Sequence, residues 1–161
     1  MEYKGQEPRT RTILPDAGRA LHMCDQVGLP NVGVTMDLGH AFAAGEAPAE
    51  SLCLLADMGK LFYVHFNDNY GDWDWDMLPA SVHFWDTLET LFYLRKLNWE
   101  GWFSYDVVTK QGDPAEAFTS TIKIVKAMDA LVSKLGPDKL QALIEDGYPA
   151  PTFEYLVTAL L

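Results

Sequence analysis

The chain is 161 residues long, 48% hydrophobic, and carries 12 basic against 23 acidic residues, a formal net charge of -11. That apolar content is enough for the core of one ordinary domain and excludes a disordered or fibrous chain. The acidic balance, with a pI near 4.6, repels nucleic-acid phosphates and anionic membrane surfaces, so neither is an expected partner. No apolar run reaches the roughly 18 residues of a spanning helix, and the polar start MEYKGQEPRTRT lacks the apolar centre of a signal peptide, so a cytoplasmic location is expected. Cys24 and Cys53 fall within helix-like apolar patterns and read as buried reduced thiols.

In chain order, helical spacing of apolar residues runs over 16–27, followed by a short apolar strand at 32–36. A second helix is predicted over 49–58 and a second strand over 61–64, then a helix over 81–96 and an aromatic strand over 102–105. Asp113-Pro114 is a helix start signal and opens a long helix over 114–135. Strict alternation of helices with short apolar strands predicts an α/β fold with parallel strands and outer helices. Beyond residue 135, Gly136-Pro137 starts a helix-like piece to Ile144, residues 147–151 interrupt it, and 153–161 is again helix-like.

The polar residues choose among parallel-sheet folds. Asp37, His65 and Asp106 all stand at or just past the C-terminal ends of predicted strands, the edge on which a (β/α)8 barrel keeps its site. A doubly wound fold uses the same edge, but it usually carries a glycine-rich phosphate loop, and neither G-x-G-x-x-G nor G-x-x-x-x-G-K-[ST] occurs here. Eight strands need about 250 residues. The expected fold is therefore the C-terminal part of a (β/α)8 TIM barrel. Residues 1–135 are read as a partial barrel from the tip of strand five through helix eight, and residues 136–161 as a helical extension that serves packing or subunit contact.

Five separated segments end in metal-binding side chains: Glu2-Tyr3-Lys4, Asp37-Leu38-Gly39-His40, His65-Phe66-Asn67-Asp68, Asp72-Trp73-Asp74-Trp75-Asp76, and Asp106. Oxygen and imidazole donors without thiolate suit Mn²⁺, Mg²⁺, Co²⁺ or Zn²⁺ rather than copper or an iron–sulfur cluster. Taken singly, each segment has an ordinary reading: a chance D-x-x-H at a strand end entering a loop, a hydrogen-bonded core histidine, a solvated acidic loop. Alternation in an extended 72–76 segment would aim three carboxylates one way and two indoles the other. Trp73, Trp75 and Trp85 are candidates for the apolar face on which a sugar ring stacks, although Trp85 with Leu88 and Phe92 also has the spacing of plain core.

In order and local sequence, E-x-K, D-x-x-H, H-x-N-D, D-x-D and a final acidic residue resemble the xylose isomerase-like barrels of sugar isomerases and epimerases. Within them, EYKGQEP, MDLGH, HFND and DWDWDM are most similar to rhamnose isomerase and its relatives. The resemblance implies a divalent-metal-dependent isomerase interconverting an aldose and a ketose, with Mn²⁺ the expected ion and Mg²⁺, Co²⁺ or Zn²⁺ the alternatives. It implies one ion held by Glu2, Asp37, His65 and Asp106 and a second by His40 with Asp74 and Asp76, Asp72 standing in reserve. Lys4, Glu2 and Asp106 are the expected catalytic residues, Lys4 acting electrostatically, and His40, Asn67 and Trp73 the expected sugar contacts. The epimerase branch, with one metal between two glutamates, fits less well because the last acid is Asp106 and a D-x-D arm is present. The endonuclease branch is disfavoured by the acidic pI and by a chain with only 4 histidines. Without a cluster of Arg or Lys to bind phosphate, an unphosphorylated sugar is expected as the partner. A half barrel exposes two sheet edges, so the chain is expected to form a homo-oligomer or to associate with an N-terminal half. A half-barrel fragment or subunit without turnover is the other class of protein this pattern allows.

Overall fold

A computed structural model describes residues 1–7 and 10–161. A short hairpin, β1 (Gln6–Glu7) and β2 (Thr10–Arg11), precedes α1 (Ala17–Val27), β3 (Val34–Asp37), α2 (Leu38–Ala44), α3 (Pro48–Asp57) and β4 (Leu61–Phe66). There follow α4 (Phe84–Lys96), β5 (Trp102–Tyr105), α5 (Pro114–Leu135), α6 (Pro137–Asp146) and α7 (Pro149–Thr158). The hairpin and α2 are the elements that apolar periodicity did not announce. Helix α7 begins at Pro149, inside the stretch read as a breaker. Proline at the first helical position carries no N–H to be orphaned and has its φ preset for the helix.

Strands β3, β4 and β5 form a parallel sheet in that spatial order. A fourth backbone segment joins the other side of β3 through a parallel bridge between Glu2 and Thr35. Thr35 N donates to Met1 O and the Met1 ammonium to Gly33 O, both at 2.7 Å. The four neighbours, all parallel with helices between them, make a partial barrel.

Register divides the sheet into two unlike faces. Asp37 lies beside His65, and His65 beside Ser104, so one face carries Glu2, Thr35, Asp37, Tyr63, His65, Ser104 and, one step past β5, Asp106. The opposite face carries Tyr3, Val34, Met36, Val64 and Phe66, all buried in one hydrophobic core with Ala20 and Cys24 of α1, Leu52 and Leu55 of α3, and Leu88 and Leu91 of α4. Strands that read as continuous apolar runs thus alternate after all. Helices cover one face only, and the polar face is the one a closed barrel turns to its interior.

The long helix α5 starts as its sequence signal predicts: Asp113 caps it by accepting from Ala115 N at 2.9 Å, with Pro114 in the first turn. Val125, Met128, Val132 and Leu135 bury its inner stripe. The terminal helices are tied back by Tyr155 OH, which donates to Leu135 O at 2.7 Å, and by an edge-to-face contact of Phe153 with Trp85. Among the described residues, no helix is long and apolar enough to cross a membrane.

Candidate metal centre

The polar face converges at the C-terminal ends of its strands. One ligand atom from each of Glu2, Asp37, His65 and Asp106 lies within 4.8 Å of every other. His65 Nδ1 stands 3.2 Å from Asp37 Oδ2, 3.4 Å from Glu2 Oε1 and 3.9 Å from Asp106 Oδ2. A cation bonding at about 2.1 Å needs donors about 3.0–4.2 Å apart, so a contraction of a few tenths of an ångström closes the set around one ion. His65 Nδ1 is buried without a properly aligned hydrogen-bond partner. A buried ring nitrogen facing three carboxylates, yet bonded to none, is the donor arrangement a divalent cation satisfies. One nitrogen and three oxygens suit a hard or borderline ion.

Asp37 is fully buried and the most firmly held member. Its Oδ1 accepts His40 N at 2.9 Å, capping α2, and both its oxygens accept from Asn67 Nδ2 at 3.1 Å. Asn67 Oδ1 in turn accepts Gly39 N at 2.6 Å. Asn67 was expected among the sugar contacts. It is fully buried with its amide committed to Asp37 and Gly39, a placement that orients the Asp37 carboxylate.

His40 is carried by α2, not by the loop expected after β3. Its Nδ1 lies 3.2 Å from Glu2 Oε1, and its Nε2 lies 3.0 Å from Asp74 Oδ2. Lys4 Nζ approaches the same Asp74 oxygen at 2.8 Å and lies 5.9 Å from the centre of the Trp73 ring. Asp74 is thereby shared between an imidazole and an ammonium, and its other oxygen is buried without a partner. The 72–76 segment does not alternate as an extended strand would. Asp72 turns outward to accept Trp75 Nε1 at 3.0 Å, and Asp76 sits at φ 48, in the left-handed region. That turn brings Asp76 to Asp74 while leaving Asp72 on the surface. Trp75 is exposed beside Lys110, and Trp85 belongs to the packing of α4 against α7.

The electrostatics follow from this crowding. The Asp37 carboxylate, and then Glu2, push the His65 imidazole up to about 10. Burial disfavours charge on His40, but Asp74, Asp37 and Glu2 outweigh it and push it up to about 9. Burial, with the negative charges of Asp74 and Asp106, pushes Asp76 up to about 7. Asp74, despite its own burial, is held well below the carboxylate range by His40 and Lys4. Two imidazolium rings and the Lys4 ammonium stand among five carboxyl groups, so the acidic side chains of the site outnumber its cations.

Residues 5–128 match the family model described as xylose isomerase-like TIM barrel, and the chain belongs to that family. No curated protein matches the chain. Among solved structures, that of a D-tagatose 3-epimerase-like protein superposes with a TM-score of 0.66 at 21% identity, over 82% of this chain and 46% of that one. This likeness is one of fold, and the chain spans less than half the length of that protein.

Proposed function

We propose that the chain is the C-terminal half of a divalent-metal-dependent sugar isomerase, similar to rhamnose isomerase, which interconverts an unphosphorylated aldose and its ketose. The observation that carries this reading is the carboxylate of Asp74, held by His40 and Lys4 immediately beside the four-donor cluster. It supplies a second arm that a one-metal site does not need. Glu2, Asp37, His65 and Asp106 would hold one ion, most suitably Mn²⁺, and His40, Asp74 and Asp76 the other. Bound there, a divalent ion polarises a carbonyl and lowers the pKa of a neighbouring hydroxyl.

The chain's own residues then have distinct tasks. The Lys4 ammonium, 2.8 Å from Asp74, would pair with a sugar oxygen as negative charge develops on it. Asp106 has His65 as its near cation only at 3.9 Å and is the carboxylate least committed within the cluster, suited to exchange a proton with a sugar hydroxyl. Burial, with Asp37 close by, raises its affinity for that proton. Glu2 bridges the two histidines and fixes the spacing of the two halves of the site. Trp73 offers a half-buried ring face on which a pyranose can stack.

A ketose 3-epimerase is the second reading, favoured by the fold shared with the D-tagatose 3-epimerase-like protein. The assay that separates them incubates Mn²⁺-loaded protein with panels of aldoses and ketoses and follows products by carbon NMR. Aldose–ketose exchange is expected. Inversion at C3 of a ketose with no aldose formed would assign the epimerase, and metal binding without either product would assign a non-catalytic half barrel. We further read the open edge of β5 as an association surface for a second copy or for an N-terminal half barrel. Trp102 there is 80% exposed and Phe103 47%.

A further inference from the structure

The segment 69–82 that carries Asp74 and Asp76 has no helix or strand of its own, and loops of that length are usually functional. Both its ends meet one residue. Asp68 is fully buried, and its Oδ1 accepts Asn69 N at 2.8 Å and lies 2.7 Å from His83 Nδ1. Its Oδ2 accepts Val82 N at 2.8 Å and His83 N at 2.9 Å. Its backbone forms the reciprocal pair with Met77, N to O at 3.0 Å and O to N at 2.8 Å. One carboxylate therefore binds the entry and the exit of the loop, and the same residue's main chain binds the turn beside Asp76. The His83 ring lies flat on Phe42 of α2, centroids 3.9 Å apart at 15°, which joins the clamp to the helix that presents His40. At the entry, Asn69 Nδ2 donates to Gly39 O at 2.7 Å on that same helix.

We infer that Asp68 and His83 are positioning residues that hold the loop carrying Asp74 and Asp76 so that Asp74 stays against His40, and so set the affinity of the second metal position independently of the first. The inference rests on the assignment of His40, Asp74 and Asp76 to a second ion. The physical reason is the demand of four donors for one anion. Asparagine at position 68 supplies a single acceptor oxygen and turns an NH₂ group toward N–H donors, leaving buried donors unpaired and releasing the loop at both ends. None of Glu2, Asp37, His65 and Asp106 hydrogen-bonds to the Asp68 carboxylate, and Asp37 is held by the separate bonds of Asn67, so that cluster is expected to keep its geometry.

The test is calorimetric titration of Mn²⁺ into the wild-type chain, Asp68→Asn and His83→Phe, with amide hydrogen exchange of the metal-free proteins. His83→Phe keeps an aromatic ring against Phe42 and removes the Nδ1 contact with Asp68, so it carries the test if Asp68→Asn does not fold. The first equivalent is expected to bind within about twofold of wild type and the second about 10- to 100-fold more weakly in Asp68→Asn, with a smaller loss in His83→Phe. Exchange is expected to accelerate over 69–82 and not over β3 and β4. Two unaltered equivalents with unaltered loop exchange would overturn the inference, as would a parallel loss of both equivalents with faster exchange in the core strands. If the wild type takes up one ion only, the two-ion reading fails. Loop exchange then decides the clamp by itself: acceleration confined to 69–82 upholds it, and its absence overturns it.

Discussion

At Gly39 the chain has no room for a side chain: an added Cβ would lie 2.6 Å from Asn67 Oδ1 and 3.0 Å from Asn69 Nδ2. The close approach lets Gly39 N reach Asn67, which in turn fixes Asp37. Gly39→Ala should cost about 1–3 kcal/mol of stability through overpacking and should loosen Asp37 enough to weaken the first metal about tenfold or more. Denaturant unfolding together with metal titration checks both, and an alanine variant with unchanged stability and affinity would contradict the packing argument. The histidines give a pH dependence with a definite sign. In the metal-free chain the folded values of His40 and His65 are raised to about 9 and about 10, above the 6.5 of an unperturbed ring. Their contribution to stability is fully present below 6.5 and is lost as pH rises through 9 and 10. Metal binding requires the rings unprotonated, so at about pH 7 it should release protons and tighten as pH rises. Titration in two buffers of different ionisation enthalpy measures that release, and a release of zero protons in both would refute it.

At the scale of elements, the parallel strands and outer helices were legible because each strand is a short apolar run and because Asp113-Pro114 is an unambiguous start. Helix α2 was not, since Asp37-Leu38-Gly39-His40 offers a glycine where helices usually weaken. It forms because Asp37 caps it and because Leu38, Ala41 and Phe42 are all buried. The D-x-D arm was visible as composition but not as geometry, because the left-handed turn at Asp76 and the bond of Asp72 to Trp75 break the period of two. Asn67 and Asp68 illustrate the same limit: nothing local in HFND says that both side chains turn inward to bind backbone 14 to 28 residues away in sequence. The cap of α5 gives an outcome at this scale. Asp113→Ala should lower stability by about 1 kcal/mol without altering metal affinity, because the capping carboxylate bonds the first turn of its own helix and none of the cluster residues. Thermal unfolding with and without Mn²⁺ checks this, and a loss of metal affinity alongside the loss of stability would contradict it.

At the scale of the whole molecule, the site lies on the face of the sheet that helices do not cover, next to an unpaired parallel edge. An unpaired edge and an uncovered face are surfaces open to association with another chain. Trp102→Lys is expected to reduce self-association in sedimentation experiments, and a chain already monomeric at every concentration would contradict the role given to that edge. The four candidate metal donors, however, all come from segments the chain contains: the bridge at Glu2, β3, β4 and the end of β5. The most direct measurement is therefore Mn²⁺ binding by calorimetry to the wild-type chain and to Asp37→Asn. The expected result is at least one stoichiometric ion on the wild type and one ion fewer on the variant, the one assigned to Glu2, Asp37, His65 and Asp106. Absence of binding to the wild type, or equal binding to both, would contradict the assignment of this face as a metal centre.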